Sequence, residues 1–158
     1  MLKVLIIVMA LMILIAFMYQ VLVIYSIANN VNTSVERTVI SLASYNKPIV
    51  YSSMREGNTM VMDESALFGR EELIDSLCEE LAATQLSESS LMRESNEGGF
   101  FYRITDLTVE IENIDSRSSD VTITFITDFD LEIPVAAFWN FGSINIPMQV
   151  RSVFTSKA

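Results

Sequence analysis

The sequence predicts an α+β fold in which a long N-terminal helix, half apolar and half amphipathic, packs with a second helix on a small three-stranded antiparallel sheet. Three observations predict it. Val4 to Ala28 is a run of 25 residues without an acid, a base, a glycine or a proline. From Ile27 the hydrophobicity narrows to one stripe, Ile27, Val31, Val35, Val39 and Leu42, at steps of three and four. From Phe100 the apolar period changes from 3.6 to 2.

The first helix comes from the first two observations. At a rise of about 1.5 Å per residue the uncharged run gives roughly 37 Å of helix, enough to cross a hydrocarbon core of about 30 Å. A cleaved secretory signal would have an apolar region of about 7 to 15 residues, and Ile24-Tyr25-Ser26-Ile27-Ala28-Asn29 fits a small-residue cleavage site poorly, so the segment reads as retained. Lys3 and the N-terminal amine place the N-terminus in the cytoplasm and the acidic body outside it. Past the span, Asn30, Asn32, Ser34, Glu36, Arg37 and Ser41 fill the faces that the stripe leaves. The chain therefore divides into a transmembrane or filament-core helix (1–28), its amphipathic continuation (29–47) and an extracytoplasmic α+β domain (48–158).

Within that domain, Ile49 to Asn58 reads as a connection with a short extended stretch at Ile49-Val50-Tyr51, and Asp63 or Ser65 is placed to cap an early turn. A second helix is predicted over Arg70 to Leu86. Leu73, Ile74, Leu77, Cys78, Leu81 and Ala82 form its apolar face, and Glu71, Glu72, Asp75, Glu79 and Glu80 its wet one. Ser87-Glu88-Ser89-Ser90 and the polar stretch from Arg93 to Gly99 read as loop.

Three strands follow. Val121, Ile123, Phe125, Phe129, Leu131 and Ile133 alternate with polar residues, as do Ile144, Ile146, Met148 and Val150. In the first strand the apolar positions are even up to Ile104 and odd from Leu107, which predicts a bulge at Thr105-Asp106. A turn at Asp115 to Ser119 joins it to the second, and Pro147, with no N–H to donate, belongs on an edge strand. The second strand is then the centre of a meander, and the two helical stripes are its cover.

Composition excludes several functions. Residues 48–158 carry seven Lys/Arg against nineteen Asp/Glu, a net charge of −12, which opposes binding to nucleic acid or an anionic surface. Without histidine the commonest neutral-pH acid–base group and metal ligand is missing. The one cysteine, Cys78, lies on an apolar stripe and permits no internal disulfide. Neither a phosphate-cradling glycine loop nor a nucleophile elbow is present. No enzyme and no cofactor are expected. Asp128, Asp130 and Glu132 share one strand face, and hairpin pairing brings Asp106 near Asp128, so these four are the candidate cation ligands. A solvated acidic face is the plainer account, since calcium loops draw their ligands from tight turns.

The membrane helix Leu2 to Ala28, its continuation Asn29 to Tyr45, and the strand pair Asp130-Leu131-Glu132-Ile133-Pro134 with Ile144-Asn145-Ile146-Pro147 give a layout that resembles the type IV pilin superfamily. Within it the chain looks most like the TadE-like pseudopilins of tight-adherence systems. The resemblance implies a structural subunit of an extracellular filament or pseudopilus, with copies of itself or other pilins as partners. Where pilins usually carry a glutamate at the fifth mature position, this chain has Leu5, and no acid precedes Glu36. Lateral association must then come from apolar shape, with Ile13, Leu14, Tyr19, Gln20 and Tyr25 as the expected interface. The alternative is a monomeric membrane-tethered accessory or ligand-binding ectodomain of a secretion or conjugation apparatus. Residues 29–47 hold no glycine or proline, which favours a rigid rod over a mere tether.

Overall fold

The computed structural model describes residues 2–45, 69–95, 99–115, 121–135 and 142–156. The expected extended stretch at Ile49-Val50-Tyr51, the caps at Asp63 or Ser65, and most of the turn after Asp115 lie outside the described residues. Helix α1 spans Leu2–Tyr45 and α2 spans Arg70–Leu81. Five strands follow: β1 (Thr84–Ser87), β2 (Ser90–Glu94), β3 (Phe100–Asp115), β4 (Val121–Pro134) and β5 (Ser143–Ser156).

The α+β class and the long first helix stand as expected. With nothing in its sequence to break it, α1 runs unbroken for 44 residues, about 66 Å. Every residue of the expected stripe, Ile27, Val31, Val35, Val39 and Leu42, is buried, and Ser34, Thr38 and Ala43 are buried with them. The helix lies on β5 and β4, while α2 packs beside α1 and over β1 and β2. Each fully buried valine or leucine contributes about 1.5–3 kcal/mol relative to exposure, an upper estimate. Val31, Val35 and Val39, all at 0 % exposure, thus hold the helix down.

The sheet corrects the three-stranded expectation. It has five antiparallel strands in the order β1-β2-β3-β4-β5, so β4 lies between β3 and β5 as expected but β3 is the middle strand. The two extra strands come from residues read as helix end and loop. Helix α2 stops at Leu81, five residues short of Leu86, because Ala82 turns left-handed (φ 48°, ψ 46°). Its N–H donates to Glu79 O, and the Ala83 N–H to Cys78 O at 3.0 Å, a Schellman closure that usually uses glycine. Ala82 is therefore exposed, and Cys78 is only half-buried. Beyond it β1 is exposed throughout and β2 buries Leu91 alone, too few inward residues to declare a period.

The longer strands follow the alternation read for them. Thr105 pairs with Asp130 and Thr108 with Asp128, so one extra residue of β3 sits in a bulge, where Asp106 takes φ 55°. Tyr102 and Ile104 point inward before it and Leu107 and Val109 after it. A second irregularity, between Ile111 and Asn113, was not legible in the alternation. Strand β5 pairs with β4 without interruption from Val121↔Ser156 to Pro134↔Ser143, which leaves Pro147 on an edge.

Tyr102 ties the sheet to α2. Its hydroxyl donates to Leu81 O at 3.2 Å, satisfying a carbonyl that the helix end would otherwise leave bare, and at the other end Arg70 Nη2 donates to Leu107 O at 2.8 Å. Burial pushes the Tyr102 phenol above its ordinary range, and the neighbouring Arg93 pulls it partway back.

Two outcomes follow for stability. In a truncated chain beginning at Leu22, Val35→Asp and Val39→Asp should each cost several kcal/mol by burying a charge, whereas Glu36→Ala should change the thermal midpoint little. Because the folded-state value of Tyr102 is raised, the stability it contributes is fully present below pH 10 and lost as pH climbs from there through the raised value. Urea titrations across that range should show a decline that Tyr102→Phe reduces, with a cost of about 1 kcal/mol at neutral pH for the lost hydrogen bond.

Candidate assembly surface

The part of α1 that the domain leaves bare is the most distinctive surface of the molecule. Large apolar side chains from Leu2 to Leu22 stand exposed, Leu14 at 62 %, and Tyr25 at 70 % is the last of them before Tyr45. Val23 is the first apolar residue packed against the core, followed by Ile24, Ile27 and Ala28. On the helix side away from the sheet, Asn29 and Asn30 come next and are exposed. Apolar exposure thus ends within about one turn on both sides. Among the described residues this is the one helix long and apolar enough to cross a membrane, which is compatible with membrane anchoring.

The five residues expected to form an interface do not share one face. At about 100° per residue, Gln20 and Ile13 lie within roughly 40° of the line through Ile27, on the side where the sheet packs. Leu14 and Tyr25 lie across the helix from that line, and Tyr19 on its flank. Gln20 is half-buried, as is Ala16 one turn before it, while Ile13, Leu14, Tyr19 and Tyr25 are exposed. A heptad count could have sorted them, but in a segment where nearly every residue is apolar no face stands out.

Four acidic residues of the outer sheet face, Glu112, Asp128, Asp130 and Glu132, are partnered. Gln149 Nε2 donates to Asp128 Oδ1 at 2.9 Å, and Asn145 Nδ2 to Asp130 Oδ2 at 3.1 Å. Glu132 receives Arg103 Nη1 at 3.0 Å and the Ser143 hydroxyl. Arg151 reaches across β4 to Glu112 at 2.8 Å. Repulsion between neighbouring carboxylates is therefore offset by donors from β5 and β3. The bulge brings Asp106 to a shallow cavity of about 420 Å³ that Asp128, Asp130 and Gln149 also line. Even so, no group of three or more His, Cys, Asp or Glu among the described residues is arranged to hold a metal. The alternation of β4 points to these acids but not to the β5 amides, whose place follows only from the register that sets Gln149 opposite Asp128.

The remaining groups offer little chemistry. Burial, with Asp75 adding to it, pushes the Cys78 thiol up, so its reactive thiolate is disfavoured. A groove of about 400 Å³ between α1 and α2 is lined by Arg37, Thr38, Ser41, Ser76, Glu79 and Glu80, none of which pairs a nucleophile with a base.

No protein-family model, no curated protein and no solved structure matches this chain.

Since the outer-face carboxylates already have donors, Asp128→Asn and Asp130→Asn should each shift stability by no more than about 0.5 kcal/mol. Calcium should move the melting temperature of the native protein and of these variants alike. A rise confined to the native protein would identify a bound ion.

Proposed function

We propose that this chain is a pilin-like structural subunit of an extracellular filament or pseudopilus, assembled through its apolar N-terminal helix and most like the TadE-like pseudopilins. The observation that carries this reading is the single helix Leu2–Tyr45, half of it a bare apolar rod and half of it the spine of the domain. A tether needs no such continuity, because a flexible linker would serve to hold an ectodomain near a membrane. A subunit that must stand in fixed orientation to its neighbours does need it. Before assembly the rod lies in the membrane with Lys3 on the cytoplasmic side, and the acidic domain lies outside in the cell envelope. After assembly the rods form the core and the domains the surface, with copies of this chain or other pilins as neighbours. Neither an enzymatic role nor nucleic-acid binding belongs to this reading, given the net charge of −10 and the absence of histidine.

Negative-stain microscopy of sheared envelope material tests the proposal. Filaments should be present and should disappear when Ile13 or Leu14 is replaced by Asp, because a charge inside an apolar helix contact carries a heavy desolvation cost. The truncated domain should sediment as a monomer and keep its melting temperature. Monomeric full-length protein in detergent, with no filaments in cells, would instead support the membrane-tethered accessory module.

A further inference from the structure

We infer that the turn of α1 from Val23 to Ala28 is shared between two apolar surroundings, the lipid bilayer and the core of the domain, so that bilayer thickness is coupled to domain packing. The inference rests on the membrane-spanning part of the reading above and is independent of filament formation. Its basis is a match of lengths. The rod free of the domain, Leu2 to Leu22, is about 21 residues or roughly 31 Å long, against a hydrocarbon core of about 30 Å. The domain therefore sits directly on the bilayer with no stalk between them. The uncharged run, however, goes on to Ala28, and the first apolar residues of α1 to meet the core are Val23, Ile24 and Ala28, packed against it, and Ile27, buried in it.

A thicker bilayer draws on those residues. Lengthening the acyl chains brings lipid level with Val23 and Ile24, whose side chains suit hydrocarbon as well as they suit the sheet. The helix has no glycine or proline at which to bend away, so the conflict is relieved by drawing the turn out of the domain or by thinning the bilayer around it. A thinner bilayer creates no such conflict, because a rod that is too long can tilt. The coupling thus acts in one direction.

The test is amide hydrogen exchange of the full-length protein in phosphatidylcholine vesicles, at low protein density, with acyl chains from 14 to 22 carbons. Exchange in peptides covering residues 29–43 and β5 should be flat up to the matching thickness and rise several-fold beyond it. A four-residue apolar insertion between Ile13 and Leu14, far from the domain, lengthens the rod by about 6 Å and should move the onset to correspondingly thicker bilayers. Exchange that stays flat over the whole series would overturn the coupling, and so would an onset that the insertion leaves in place. Absence of filaments from cells that make the native protein would count against the assembly proposal and leave this result standing.

Discussion

The uninterrupted N–H to C=O ladder of α1 is the constraint on which the rest of the structure depends, because this one helix is both a bare apolar rod, compatible with membrane anchoring, and the spine of the domain. In lipid every backbone polar group must be satisfied within the segment, which only a helix or a closed barrel achieves. In water a helix survives by burying one face. The stripe from Ile27 to Leu42 provides that face, and the domain supplies its cover with β4, β5 and α2. The domain is thus built onto the helix and not appended to it. Removing the helix would strip the cover from the sheet half that holds Phe125, Phe129 and Val150, all of them buried. A sheet with one naked apolar face is not independently stable.

The outer face of that sheet solves a different problem. An acidic chain stays soluble, but like charges along one strand face push its neighbours apart. Here the donors come from the two flanking strands. Gln149, Asn145 and Ser143 reach from β5 and Arg103 from β3, so that Asp128, Asp130 and Glu132 on β4 become hydrogen-bond acceptors binding the edge strand to the sheet. Each such bond is exposed or half-exposed and adds modestly, about 1 kcal/mol or less. Edge strand β5 gains more than the others from this arrangement, since only one of its sides has a neighbouring strand.

What the sequence made legible follows from how strongly each segment repeats. The α1 stripe, the alternation of β4 and β5, the change of parity at Asp106 and the edge position of Pro147 each involve many residues obeying one period, or one residue whose chemistry admits few places. The misses lie where those signals are absent. Helix α2 ends before the residue its apolar period predicts because its left-handed terminus falls at Ala82, a residue that favours helix, where a glycine would announce the stop. Strands β1 and β2 have four and five residues and one buried side chain between them, and their existence depends on the β3 edge being available. The bare part of α1 is legible as a rod but not as a face, because periodicity needs contrast and residues 4 to 28 supply almost none.

Apolar packing by itself does not fix how far the rod projects from the domain. Ile27, Val31, Val35 and Val39 recur every four residues with nearly the same shape, so a slide of one turn would set valine where valine was along most of the stripe. The buried hydroxyls facing the helix do not fix it either, for Thr127 Oγ1 and Ser152 Oγ have no hydrogen-bond partner. The end of the stripe does. Ala43 continues the same four-residue row and is fully buried. Sliding α1 one way would force Val39 into a space made for a methyl group, at a cost of about 1–3 kcal/mol for the overpacking. Sliding it the other way would leave a cavity where Val39 had been, which is also destabilising. The size step from valine to alanine thus sets the register of helix on sheet, and that register places Val23 at the edge of the domain, leaving a free rod about as long as a bilayer is thick.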